Sequence, residues 1–173
     1  MLKMFTTQLS GLFKRLQEQE EFALEDGARL LAQAAAGQGT IYIYGTGEMA
    51  AVHLEAVHGA EPLAGAAVFD AEKVTSADRV LMFARYSNDP EALAIAQKLS
   101  DSFIPFAAAS TVVAGDEPGL EALADVHVDL KLTKGMLPDE TGGRFALPSS
   151  MAALFVYYGF KFIIDEMLAE YEE

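Results

Sequence analysis

Thr40-Ile41-Tyr42-Ile43-Tyr44-Gly45-Thr46-Gly47-Glu48-Met49-Ala50 reads as a buried strand, a tight glycine turn and the start of a helix. Ile41 to Tyr44 are all β-branched or aromatic. Such a run suits an inner strand of a parallel sheet, which is covered on both faces and so lacks polar–apolar alternation. Gly45 and Gly47 let the backbone bend sharply and approach a ligand with no Cβ in the way. The unpaired N–H groups of the helix that follows face whatever lies above the turn, a geometry that favours anions. The stretch therefore predicts a small-molecule site at the carboxyl end of the first strand.

Upstream of it, Leu2, Phe5, Leu9, Leu12, Phe13 and Leu16 recur at three- and four-residue spacing, and Leu24, Ala28, Leu31 and Ala35 continue a stripe toward Gly37. These are apolar helix faces. One long helix, or two in succession, is expected over residues 1–36, weakened at Gly11 and Gly27. Downstream, Glu48 to Val57 is expected to be helical, Ala66 to Asp70 a short strand, and Ala71 to Asp78 a connection with one helical turn at most. Arg79 to Ala84 is the clearest inner strand after the first, and Arg85-Tyr86-Ser87-Asn88 the loop behind it. Asp89-Pro90-Glu91 starts a helix to about Ser100: Asp caps, Pro takes the first helical position, and Glu faces the positive end of the dipole. Phe103 to Ala109 and Val126 to Leu130 are the last two strands, with a short helix over Leu120 to Ala124 between them. His127 alternates with Val126 and Val128 and is expected to face helix or solvent. Lys131 to Leu147 carries Gly135, Pro138, Gly142 and Gly143 without periodicity and reads as a long functional or mobile loop. Pro148-Ser149-Ser150 opens a last helix, residues 148–172, apolar nearly all the way round. Such a helix is buried on more than one side. One side can meet the sheet; the other needs the N-terminal helix or a second subunit.

The alternation of inner strands and helices predicts an α/β fold, a three-layer α-β-α sandwich on a five-stranded parallel sheet, as one domain over residues 1–173 with its α/β core at 40–130. Ligands in such sheets bind beyond the carboxyl ends of the strands, where strand order reverses. The Gly45–Glu48 turn and the Arg85–Asp89 loop are expected to meet there.

Composition bounds the partners. The net charge of −14 argues against nucleic acid and against anionic membrane surfaces. The absence of cysteine removes disulfides and thiolate zinc sites and fits a reducing compartment. The N-terminus lacks an apolar signal core, and the run from Met151 to Ile164 is broken by Lys161 and too short to span a bilayer. A cytoplasmic protein is expected. His53 and His58 are five apart and do not share a helical face, so no metal site is expected.

A helical N-terminus, a strand ending in Gly45-x-Gly47, and a later strand ending in a small hydrophilic loop before a helix resemble the SIS (sugar isomerase) domain. The likeness is to the phosphoheptose-isomerase branch and, more closely, to a bacillus-type SIS-like family. It implies a phosphosugar or other sugar-derived ligand bound at those two loops, no cofactor, and a homodimer. The implied ligand-binding residues are Gly45, Thr46, Gly47, Glu48, Arg85, Tyr86, Ser87, Asn88 and Asp89. Backbone N–H groups of Gly45 to Glu48 and Ser87 to Asp89 would cradle an oxyanion, Thr46 and Ser87 would donate hydroxyls, and Arg85 would supply charge. Arg144, Ser149 and Ser150 are candidates for a lid, with Lys131 and Lys134 beside Arg144 as a basic contribution. The family's second loop carries three hydroxyls where this chain has Ala84, Tyr86 and Asp89, and the serine of its first loop is Met49. Glu61 and His58 are the candidates for the isomerase base, and the last helix has no histidine. The resemblance thus implies either a divergent sugar-phosphate isomerase or a ligand-binding module without turnover. A rival reading takes Gly45-x-Gly47-x-x-Ala50 as a dinucleotide fingerprint, with Asp70 holding the ribose of NAD.

Overall fold

The computed structural model describes residues 1–171. Glu172, the last residue of the expected 148–172 helix, and Glu173 lie outside the described residues. Two helices, α1 (Leu2–Gln19) and α2 (Glu21–Ala36), precede β1 (Ile41–Gly45). A 3-10 turn over Gly47–Ala50 leads into α3 (Ala51–His58), then β2 (Ala66–Val68), β3 (Arg79–Tyr86), α4 (Pro90–Asp101), β4 (Phe106–Thr111), α5 (Leu120–Leu123) and β5 (Val126–Asp129). A small antiparallel pair, β6 (Leu137–Pro138) and β7 (Arg144–Phe145), precedes α6 (Ser149–Tyr171). The five main strands form one parallel sheet in the order β2-β1-β3-β4-β5, as the run of inner strands predicts.

Alternation along the strands sends side chains to two cores. Ile41, Ile43, Leu81, Phe83, Ala107, Ala109 and Val128 pack with residues of α1, α2, α3 and α6. Tyr42, Val80, Met82, Ala84, Phe106 and Ala108 pack with those of α4 and α5. The outer side of α6 meets α1: Phe13 stacks on Phe155 at 4.4 Å between ring centroids and 4° between planes. Of the two partners that the apolar last helix called for, the N-terminal helix fills the place within this chain.

Several boundaries differ from the sequence reading. β3 continues two residues further, so Arg85 and Tyr86 end a strand and do not lie in a loop. A register irregularity between Phe83 and Tyr86 against β4 re-aims these last side chains, as bulges do. β4 begins at Phe106; Phe103 instead closes the turn after α4 with φ 56°. Residues 71–78 form turns without a helix, and the 131–147 stretch contains the β6–β7 pair. No helix among the described residues is long and apolar enough to cross a membrane.

Candidate functional site

Strand order reverses between β1 and β3, since the chain runs from β1 to β2 on one side and returns to β3 on the other. The carboxyl ends of these two strands therefore open a crevice between their outgoing connections. Gly45 pairs with Phe83 across the strands, and Thr46 N donates to Phe83 O at 3.1 Å, which pins the turn to β3. The turn then folds back on itself. A Cβ on Gly45 would lie 2.3 Å from Met49 O, and Gly47 has φ 52°. Both glycines are required by backbone geometry, the first by close approach and the second by its left-handed conformation.

A depression of about 390 Å³ lies at this point, lined by Thr46, Gly47, Glu48, Arg85, Tyr86, Asn88, Asp89 and Pro90. A second, of about 360 Å³, adjoins it through Tyr86 and Asn88 and extends to Thr111, Val112, Val113, Ala114 and Thr133. The two stretches singled out by sequence thus meet, Glu48 and Arg85 standing 37 residues apart in the chain. Arg85 grips Glu48 with two parallel bonds, Nε to Oε1 at 2.7 Å and Nη2 to Oε2 at 2.8 Å. This bidentate pair lowers the Glu48 carboxyl to about 2; burial opposes the shift, and the Ser149 hydroxyl at the start of α6 adds to it. Asp89 caps α4 as expected, Oδ1 accepting from Ala92 N at 2.9 Å, and its Oδ2 accepts from Thr46 Oγ1 at 3.3 Å. Glu91, in the first turn of α4, accepts from Tyr44 Oη at 2.7 Å. Burial and this carboxylate push the Tyr44 phenol well above its ordinary range.

Some expected contributors take other roles. Ser87 is fully buried and does not line the depression. Its N–H donates to Thr111 O, its carbonyl accepts from Leu120 N, and its Oγ accepts from Val113 N at 3.1 Å. It ties β3 to the loop after β4. Thr46 N, Ser87 N and Asp89 N all bond to backbone carbonyls, so three of the N–H groups expected to cradle an oxyanion are already satisfied. Arg144 turns back on its own segment, Nε to Gly135 O at 2.7 Å and Nη2 to Met136 O at 2.8 Å. Lys131 pairs with Glu20 at 2.9 Å and Lys134 is exposed. Of the lid candidates Ser149 approaches the site, through Glu48, and Ser150 follows it half-buried on α6. His58 and Glu61 are exposed at and beyond the end of α3 and line neither depression. Asp70 is held locally, accepting from Glu72 N at 3.0 Å and pairing with Lys73 at 3.3 Å. His127 is half-buried, its Nε2 2.8 Å from Ser110 Oγ on the neighbouring strand. Thr111, Val112, Val113 and Thr133, which complete the second depression, escape the sequence reading, because only strand order places the loop after β4 beside Tyr86.

This arrangement is the fold of a solved sugar isomerase (SIS) domain. The RpiR transcription factor from Sphaerobacter thermophilus (sugar isomerase domain) superposes with TM-score 0.62 at 13% identity, covering 98% of this chain and 89% of that one. The Vibrio vulnificus NanR protein, complexed with ManNAc-6P, superposes with TM-score 0.61 at 18% identity, covering 96% of this chain and 64% of that one. Within that fold the chain belongs to the family described as a domain of unknown function (DUF2529), whose pattern matches residues 1–168. It is 44% identical over 173 residues to the uncharacterized protein YwjG of Bacillus subtilis (strain 168), across 99% of both chains.

Proposed function

We propose that residues 1–173 act as one SIS-like domain that binds a small sugar-derived ligand in the crevice between Thr46–Glu48 and Arg85–Asp89. The observation that carries this reading is the convergence of both loops at the strand reversal, in a depression of about 390 Å³, a size that suits a single sugar. The NanR protein, which shares the fold, is complexed with ManNAc-6P. Thr46, Tyr86 and Asn88 offer neutral polar contacts, Glu48, Arg85 and Asp89 charged ones, and Ser149 at the start of α6 supports Glu48. Gly45 shapes the floor without lining it.

The role is that of a ligand-binding module. Aldose–ketose isomerisation of the phosphoheptose-isomerase kind needs an acid and a base within reach of the substrate. His58 and Glu61, the candidates for the base, lie outside the lining. The working form is a homodimer in the cytoplasm; the lack of cysteine fits that compartment.

A thermal-shift screen of sugars, amino sugars, sugar phosphates and NAD(H) tests the reading, because a ligand that binds only the native state raises the melting temperature. A shift from a sugar or sugar derivative, lost on Asn88→Ala, is expected. A shift from NAD(H) alone, or none at millimolar ligand, would overturn it.

A further inference from the structure

Three charged side chains line the crevice, Glu48, Arg85 and Asp89. Two carboxylates against one guanidinium leave the lining with a net charge of −1. Arg85 is the only cation among the lining residues, and its Nε and Nη2 are both spent on Glu48 at 2.7 and 2.8 Å. The N-terminus of α4, the obvious seat for an anion, is closed from within: Asp89 caps Ala92 N, and Glu91 stands in the same turn. Thr46 N, Ser87 N and Asp89 N donate to Phe83 O, Thr111 O and Tyr86 O. Three of the donors, and the Nε and Nη2 of the cation, that would greet a phosphate are thus occupied by the chain's own acceptors.

We infer, on the reading proposed above, that the crevice selects an unphosphorylated sugar or amino sugar and rejects the corresponding sugar phosphate. A phosphomonoester brings a charge near −2 at neutral pH. To grip Arg85 through its Nε and Nη2 it must displace Glu48, and the released carboxylate then stays beside the dianion. Asp89 adds a second like charge. Each such repulsive pair in a solvent-exposed crevice weakens binding by about tenfold. A sugar hydroxyl meets the opposite situation. Carboxylates are strong acceptors, so Asp89 and Glu48 take hydrogen bonds from hydroxyls while Arg85 stays paired. The amine of an amino sugar gains further by pairing with Asp89. Glu48 and Asp89 thus set the ligand's charge class and leave the site's place in the fold untouched.

Calorimetric titration with matched probes tests this: glucosamine against glucosamine 6-phosphate, fructose against fructose 6-phosphate, and inorganic phosphate alone. The wild type is expected to bind at least one unphosphorylated member about tenfold or more tighter than its phosphate, and inorganic phosphate not at all. Glu48→Gln frees Arg85 and is expected to narrow that gap by strengthening the phosphorylated member. Asp89→Asn, which keeps a capping side chain, should act in the same direction. Tighter binding of the phosphorylated member by the wild type would overturn the inference and leave the sugar site standing. An unchanged gap in both variants would overturn the electrostatic origin assigned to it. Failure of every probe in wild type and variants would remove the site and the inference together.

Discussion

Gly27 on α2 lies against the ring of Phe160 on α6: a Cβ at residue 27 would sit 2.6 Å from Cε1 of that ring. Phe160 is fully buried. Gly159 makes the reciprocal approach, with its missing Cβ 3.2 Å from Leu24. The two helices that cover this face of the sheet are therefore spaced by glycines. Gly27→Ala gains about 1 kcal/mol of helix propensity and loses about 1–3 kcal/mol to overpacking. A lower urea midpoint than wild type is expected. A midpoint equal or higher would mean that the helices separate at no cost.

Ser87 reads from sequence as a ligand contact, and the fold makes it a structural tie. Its Oγ accepts from Val113 N, so Ser87→Ala strands a partly buried backbone donor. We expect a loss of about 1–2 kcal/mol in denaturant unfolding, with unchanged affinity for any sugar bound in the crevice. A stable variant that had lost affinity would restore the sequence reading.

Asp78 is 6% exposed and joins the start of β1 to the turn before β3. Its Oδ1 accepts from Thr40 N at 2.7 Å, and its Oδ2 from Thr75 N at 2.7 Å and Thr75 Oγ1 at 2.8 Å. Burial raises the carboxyl, but the three bonds together outweigh it and hold the group below its ordinary value. A depressed carboxylate contributes stability that is present above its unfolded value near 3.8 and is lost as pH falls through the folded one. Asp78→Ala should cost about 1–3 kcal/mol at pH 7 and flatten the acid limb of the stability curve below about pH 4. An acid limb as steep as that of wild type would assign the loss to other carboxylates.

His127 titrates in a different window. Burial lowers its imidazole, against the opposing pull of Glu121, Asp129 and Glu20, so the folded protein favours the neutral ring beside Ser110. A histidine with a lowered folded value loses stabilisation as pH falls from the unfolded value near 6.5. Wild-type melting temperature should fall between about pH 7 and pH 5 by more than that of His127→Gln. Parallel curves would place the charge change elsewhere.

The proposed homodimer rests on what α1 leaves uncovered. Phe13 and Phe155 satisfy each other within the chain, yet Leu2, Met4, Phe162 and Met151 remain 42–77% exposed. Light scattering at micromolar concentration should return twice the mass of a 173-residue chain. A monomer mass would end the proposal.

Where periodicity and capping act locally, the sequence is legible. Ile41 to Tyr44 and Arg79 to Ala84 read as inner strands because parallel strands are apolar on both faces, and both lie in the sheet. Asp89-Pro90 reads as a helix start, and Asp89 caps α4. The errors fall where neighbours across the sheet decide. β3 runs on through Arg85 and Tyr86 because β4 offers Thr111 as a partner, which no local pattern announces. Leu137–Pro138 and Arg144–Phe145 pair over a glycine-rich turn that reads as unstructured.

The site divides the same way. Two stretches rich in turn residues after apolar strands are visible in the chain, and so is their meeting once a parallel sheet is inferred. What each side chain does there is not. Glu48 and Arg85 stand 37 positions apart, and their ion pair exists because β1 and β3 are adjacent. Ser87 and Val113, or Arg144 and Gly135, find each other for the same kind of reason. By itself the sequence determined the inner strands of the main sheet, the Asp89 cap and the place of the crevice, because these follow from backbone sterics and burial within a few residues. The tertiary structure alone decided which donors and charges remain open to a ligand, because hydrogen bonds and ion pairs are claimed by whichever partner the fold brings nearest.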